Sequence, residues 1–295
     1  MLTRLDNKYV VSMDALDALA PAFAARFDIL EIGEKRSFGY RTQYFDTPDM
    51  TSFRHHVQGR RNRSKVRTRH YLDADICFVE VKLKSLRKVT VKKRLAHDPS
   101  SLGHLTDTGV QFVEDSHQER YRRGAHAPYL PVMRMQYDRM TLVARTGGER
   151  LTIDRNLRFW NDTASEGIDP DMMVIETKSA FGRGIADGIL RGAGFHPVGS
   201  CSKYCIGLAA LGAVPRYNKF LPAFRRLLPH LDTAAPPHHH AGPGHCAVGA
   251  VTRRSANTLR SSRPILSSLT TRKRSSPTRV RPSKSASLMP GTTTC

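Results

Sequence analysis

Acidic residues are scarce in this chain: 26 Asp and Glu stand against 47 Lys and Arg in 295 residues, a formal charge of +21. An excess of that size calls for an anionic partner. Cysteine is sparse as well. Cys77, Cys201, Cys205, Cys246 and Cys295 are scattered and odd in number, which argues against a disulfide framework and makes a reducing cytoplasm the expected compartment. Cys201 and Cys205 stand four apart on a predicted helix. No second pair at zinc-ligand spacing accompanies them, so two small buried residues are the better reading. No run of about 18 apolar residues occurs, so no membrane helix is coded. Met1 to Val11 is charged and lacks the apolar centre of a signal peptide. The glycines from Gly182 to Gly199 contain no Gly-x-x-x-x-Gly-Lys-Ser/Thr loop; helix ends and turns account for them.

Charge is unevenly spread along the chain. Residues 1–212 hold 33 basic and 25 acidic residues, whereas residues 213–295 hold 14 basic residues and the single acid Asp232. The second segment is rich in Ser, Thr, Pro and Arg and lacks apolar periodicity outside Phe220 to Leu231. Such a composition buries too little apolar surface to offset ordering entropy. The expectation is a folded domain over 1–212 and a disordered basic tail over 213–295, the tail offering non-specific contact to polyanions but no specific nucleic-acid recognition.

What is abundant is alternating charge in strand-like segments. Ser64 to His70 carries Lys65, Arg67 and Arg69 at every second position, Ile76 to Lys82 carries Phe78, Glu80 and Lys82, and Thr90 to Leu95 carries Lys92 and Arg94. Strand geometry turns alternate side chains to one face, so each set shares a face and Val66, Thr68, Val79, Val81 and Val91 share the other. One charged face on one strand is ordinarily a solvated surface. Repetition over neighbouring strands weakens that account, because a dense array of like charge repels itself unless an anion occupies the space.

The flanking segments read consistently with a β-rich fold. Ser12 caps a predicted helix to about Phe27, with Met13, Leu16, Leu19, Ala20 and Phe23 on one stripe. Tyr40 to Phe45 reads as a strand ended by the turn Asp46 to Asp49, and Arg54 to Arg63 as a basic surface connection. His97 to Gly109 reads as loop and short helix, and Val110 to Ala127 as polar helix or loop. Pro131 to Ala144 and Arg150 to Asp154 form a hairpin around Gly147-Gly148. Val174 to Lys178 repeats the Glu-x-Lys of Glu80 and Lys82, and Ser202-Lys203-Tyr204 opens a last helix.

In order along the chain, Arg4 to Tyr9, Tyr44-Phe45-Asp46-Thr47, Lys65 to Arg69, Val79 to Lys82, Tyr137-Asp138-Arg139, Arg150 to Asp154, Val174 to Lys178 and Ser202 to Tyr204 resemble the VTC domain. That is the catalytic domain of the vacuolar transporter chaperone polyphosphate polymerases, within the CYTH-like triphosphate tunnel metalloenzymes. The resemblance spans roughly residues 1–212. Asp6 stands where relatives usually have glutamate, and Ser200 where some have lysine.

The resemblance implies an α+β fold: an antiparallel β-barrel of about eight strands, closed or nearly closed, with flanking helices and a triphosphate tunnel as its bore. It implies that ATP is a substrate and inorganic polyphosphate the product. Catalytic roles fall on Arg67, Arg69 and Lys203, and triphosphate binding on Lys8, Lys82, Lys92, Arg94, Arg139, Arg150 and Lys178. Glu176, assisted by Glu80, is implied to hold Mn2+ or Mg2+, hard ions suited to oxygen ligands and phosphate. A triphosphatase or cyclase on the same barrel, and a non-enzymatic polyanion binder, are the alternatives, since fold does not dictate reaction.

Overall fold

The computed structural model describes residues 5–84, 90–126, 128–232 and 271–273. Eight strands follow one path, each antiparallel to its neighbour: β1 (Leu5–Ser12), β10 (Met172–Ser179), β8 (Arg150–Trp160), β7 (Leu130–Ala144), β3 (Ser37–Asp46), β4 (Arg63–Tyr71), β5 (Ile76–Lys84) and β6 (Thr90–His97). Three short strands attach at the margins: β2 (Phe27–Glu31) on β7, β9 (Ser165–Gly167) on β8, and β11 (Thr271–Lys273) parallel to β2. The expected strand number is present along the path. Hydrogen-bonded closure is not, since β1 and β6 end the path without pairing to each other. Side-chain alternation fixes the faces of each strand, but it carries no information on whether the first and last strands meet.

The two faces of the sheet are covered differently. On the outer face, α1 (Met13–Ala24) and α4 (Ile185–Gly192) join a core with Tyr9, Val11, Leu142, Ile153 and Ile175. Ser12 caps α1 by accepting from the Ala15 amide, and Leu16 and Phe23 are its buried residues. Buried Asp187 ties α4 to the sheet, accepting from Asn7 Nδ2, the Tyr9 hydroxyl and the Thr177 hydroxyl. Further along this face α3 (Asp107–Tyr121) brings Val113 to Val66, Val79 and Val81. A short helix, α2 (Thr51–Val57), replaces the first part of the connection expected at Arg54 to Arg63.

At one end of the inner face α5 (Lys203–Ala210) and α6 (Leu221–Leu227) pack Tyr204, Ile206, Leu208 and Phe224 in one core with Tyr44, Met133, Met135 and Phe159. A β-bulge opposite Gln136 to Asp138 inserts one extra residue in β8, with Asn156 at φ 56 and its amide donating to Asp138. The extra residue resets the alternation, so Asp154 and Leu157 are both buried.

The boundary expected at residue 212 falls inside packed structure. Beyond it α6 and α7 (Pro229–Asp232) follow, and Val214, Phe220, Ala223, Phe224, Leu227 and Leu228 are buried in the inner core. Composition averaged over 83 residues diluted the apolar stretch from Val214 to Leu228 that packs here. The disorder expected for residues 233–270 and 274–295 lies outside the described residues, as does the connection at residues 85–89.

Burial of a large apolar side chain is worth about 1.5–3 kcal/mol, and whole domains are stable by only about 5–15 kcal/mol. A chain ending at residue 212, deprived of Phe220, Phe224, Leu227 and Leu228, is therefore expected to lose its cooperative thermal transition, while one ending at residue 232 retains it. Equal melting midpoints for the two truncations would return the boundary to 212.

Candidate phosphate-binding site

The inner face carries the charge. Strand register sets Arg67 opposite Tyr44 and Glu80, Lys65 opposite Lys82, Lys82 opposite Lys92, and Glu80 opposite Arg94. Along the other limb, Arg139 lies opposite Asp154, Thr152 opposite Glu176, and Glu176 opposite Lys8. Lys203 enters from α5, whose start is fixed twice. Ser202 accepts from the Cys205 amide at 3.3 Å, and the Tyr204 hydroxyl donates to buried Asp46. Asp46 also accepts from the Thr47, Ser52 and Phe53 amides at 2.8 to 2.9 Å, so this turn residue anchors both α2 and α5.

Carboxylates hold the cations in place. Arg67 donates through Nε and Nη2 to one oxygen of Glu80 at 2.8 and 2.6 Å, and through Nη1 to the Tyr44 hydroxyl at 3.0 Å. The other oxygen of Glu80 meets Lys92 and, at 3.4 Å, the Tyr71 hydroxyl. Arg139 donates to both oxygens of Asp154 at 2.5 and 2.7 Å, and Lys203 Nζ stands 2.6 Å from one of them. Arg69 is buried, donates to Thr42 at 3.4 Å, and has its guanidinium 5.6 and 5.8 Å from the Tyr40 and Tyr137 ring centres. Lys65 donates to Ser202 Oγ at 2.9 Å. Lys178 pairs with Glu176 at 2.9 Å.

Protonation follows from this crowding. Burial works against ionised carboxylates, yet Arg67, Arg69 and Lys92 hold Glu80 well below the usual range. Arg139 and Lys203 likewise bring Asp154 down to about 2, and Lys8, Lys178 and Lys203 bring Glu176 well below its ordinary value. The lysines move the opposite way. Burial, reinforced by neighbouring cations, lowers Lys65 to about 8 and Lys82 to about 8. Burial also lowers Lys92 to about 8 despite Glu80. Lys82 and Lys92 nonetheless keep exposed side chains, whereas Arg67 and Arg139 are driven further into the charged state by Glu80 and Asp154.

Of the residues singled out by sequence, Lys8, Arg67, Arg69, Glu80, Lys82, Lys92, Arg139, Glu176, Lys178 and Lys203 are brought together by these registers, contacts and mutual fields. Arg94 is exposed, as Lys82 and Lys92 are, and has its guanidinium 4.8 Å from the Phe78 ring centre. Arg150 is exposed at the strand end opposite Lys178. Sequence reasoning left out Asp154, Tyr44, Tyr40 and Thr152. It also left Lys65 off the site, although the alternation that placed Arg67 places Lys65 with it.

Among the described residues no group of three or more His, Cys, Asp and Glu could hold a metal ion. Both oxygens of Glu80 meet cations, which disfavours its expected assistance to a metal. Glu176 fits better. Opposite it lies Thr152, whose buried Oγ1 has no hydrogen-bond partner. A carboxylate and a hydroxyl supply hard oxygen donors of the kind that Mg2+ and Mn2+ take when phosphates and waters complete the shell.

The antiparallel sheet thus has one helix-covered face and an opposite face lined by arginine and lysine. The VTC domain model matches residues 3–212, and the chain belongs to the VTC domain family. Among solved structures it is similar to a candidate adenylyl cyclase from Hippeastrum with a dominant triphosphatase activity, at 16% identity and TM-score 0.41, covering 70% of this chain and 96% of that one. It is also similar to a candidate adenylate cyclase from Bacillus halodurans, at 12% identity and TM-score 0.37, covering 75% and 97%. A conserved hypothetical protein from Pyrococcus furiosus aligns at 11% identity and TM-score 0.34, covering 65% and 89%. No curated protein matches the chain.

The lysine pKa values set a pH dependence with a definite sign. A phosphate chain binds the protonated lysines, so affinity for tripolyphosphate is expected to fall as pH rises through about 8, where Lys65, Lys82 and Lys92 lose their protons. Binding at pH 8 should take up protons, measurable by calorimetry in buffers of different ionisation enthalpy. Constant affinity from pH 7 to 9.5 would contradict the site.

Proposed function

We propose that this protein is a polyphosphate polymerase that transfers the γ-phosphate of ATP to the end of a growing polyphosphate chain on the inner face of the sheet. The observation that carries the reading is the fixed cationic array: Arg67, Arg139 and Lys203 are held by buried carboxylates, with Lys8, Lys65 and Lys82 beside them. Phosphoryl transfer asks little of a protein beyond alignment and charge stabilisation. A terminal phosphate oxygen of the acceptor attacks the γ-phosphorus, the bond to the bridging oxygen breaks, and ADP leaves with that oxygen. No side chain is the nucleophile.

In this reading Arg67, Arg69, Arg139 and Lys203 line up donor and acceptor phosphates and neutralise the equatorial oxygens. Lys8, Lys65, Lys82, Lys92 and Lys178 extend the track, Arg94 and Arg150 stand at its rims, and Glu80 braces Arg67. Glu176 and Thr152 would hold Mn2+ or Mg2+. The ion would supply charge neutralisation on the phosphates.

Transfer to phosphate is favoured over transfer to water by two features of the sequence. The order of motifs follows the polymerase branch, and the Glu-x-Glu-x-Lys opening of the hydrolase and cyclase branch is absent, with Arg4 and Asp6 standing before Lys8. A run of equivalent cations also suits a product that slides by one unit per turnover. We place the activity in the cytoplasm. No helix among the described residues is long and apolar enough to cross a membrane, and the basic segment beyond residue 232 is assigned non-specific polyanion contact.

With ATP and Mn2+ the purified protein is expected to release ADP and build a polymer seen on a polyphosphate-stained gel. Glu176→Gln, which keeps the shape and removes the charge, should cut turnover by roughly 100-fold, the scale of a lost metal-site group, and leave tripolyphosphate affinity intact. Stoichiometric free phosphate without polymer would make the protein a triphosphatase. Tight polyphosphate binding with no ATP consumption would make it a binding module.

A further inference from the structure

Two buried carboxylates of the inner face repeat one arrangement. Asp154 on β8 is fully buried and receives Nε and Nη2 of Arg139 from β7 at 2.5 and 2.7 Å, together with Lys203 Nζ from α5 at 2.6 Å. Glu80 on β5 is 1% exposed and receives Nε and Nη2 of Arg67 from β4 at 2.8 and 2.6 Å, together with Lys92 from β6. In each case one acid joins an arginine on the adjacent strand to a lysine on a third element. A surface serving only to attract phosphate would omit both acids, because each repels the ligand and cancels one of two positive charges.

Geometry supplies the reason for keeping them. The carboxylate takes up the Nε edge of the guanidinium and fixes its plane, which leaves the remaining arginine donors and two ammonium hydrogens aimed from a set position. A free arginine and a free lysine 17% and 12% exposed on their side chains would otherwise splay apart under mutual repulsion. We propose that Asp154 and Glu80 are positioning residues of the phosphoryl-transfer site, each holding an arginine and lysine pair in the geometry required for transfer, and that neither is a metal ligand. The proposal rests on the phosphotransferase reading above.

Charge and geometry predict opposite outcomes, which makes the test sharp. Full-length Asp154→Asn and Glu80→Gln are compared with wild type by steady-state turnover of ATP with Mn2+ and by calorimetric titration of tripolyphosphate, with thermal melting to establish folding. The expected result is a kcat lower by roughly 100-fold, the scale of a misplacement of about 1 Å. The tripolyphosphate Kd should stay unchanged or fall, since a like charge has been removed. The Mn2+ concentration for half-maximal activity should not move, in contrast to Glu176→Gln. Should Asp154→Asn not fold, Asp154→Glu keeps the charge but shifts both cations, and kcat should still drop. A kcat within about threefold of wild type in the folded variants overturns the proposal, as does a shifted Mn2+ requirement. Wild-type protein that neither binds tripolyphosphate nor consumes ATP overturns the functional reading itself.

Discussion

Like charges held close together are the constraint from which the rest of this structure follows. Two unit charges 4 Å apart repel by about 4 kcal/mol at an effective dielectric of 20, and the inner face collects Lys8, Lys65, Arg67, Arg69, Lys82, Arg139, Lys178 and Lys203. Three features counter that repulsion. Asp154, Glu80 and Glu176 each sit between cations. Aromatic rings accept others, with Arg69 at 5.6 and 5.8 Å from the Tyr40 and Tyr137 centres and Lys65 at 5.7 Å from the Tyr204 centre. The pKa values of Lys65, Lys82 and Lys92 are also lowered, chiefly by burial. What these devices leave uncancelled is a strongly cationic surface.

Holding that surface requires a sheet that does not yield, and the stiffness comes from elsewhere. The outer face is packed apolar and clipped by Asp187, which gathers Asn7, Tyr9 and Thr177 from two strands under α4. Glu149 accepts from the first amides of α4, Ile185 and Ala186, favoured by the positive end of the helix. On the inner side Asp46 binds the Tyr204 hydroxyl one residue beyond Lys203. The position of a lysine that meets Asp154 therefore depends on a turn in the first quarter of the chain.

Most of the strands were legible from alternation. Lys65, Arg67 and Arg69 share a face with Glu80 and Lys82, as a period of two requires, and Ser12 caps α1. Seven of the eight motifs fall on seven different strands of one sheet, and the eighth, Ser202 to Tyr204, opens α5. Elements that escaped did so for physical reasons. α3 buries only Gly109, Val113, Ser116 and His117, so its apolar stripe is too thin to show as a helical period. Asp154 was read as one more strand residue because nothing local shows that a bulge at Asn156 keeps both it and Leu157 inside. Contacts between distant elements, such as Asp154 with Lys203, have no sequence period at all.

Arginine and lysine divide the labour on this face, and their chemistry explains the division. Arg67 and Arg139 each spend two donors on a buried acid, a geometry that a planar fork satisfies and an ammonium does not. Lys65 and Lys82 meet no carboxylate at ion-pair distance among the pairs the structure shows, and their charge is set by burial and by each other. The arginines therefore carry a permanent, directed charge, while the lysines carry one that depends on occupancy. On the proposed reading, a phosphate bound beside these lysines would raise their affinity for protons. The carboxylate-held arginines lie beside Tyr44 and Tyr137, whereas Lys65 donates to Ser202 over the Tyr204 ring and Lys82 stands between Lys65 and Lys92 across the sheet.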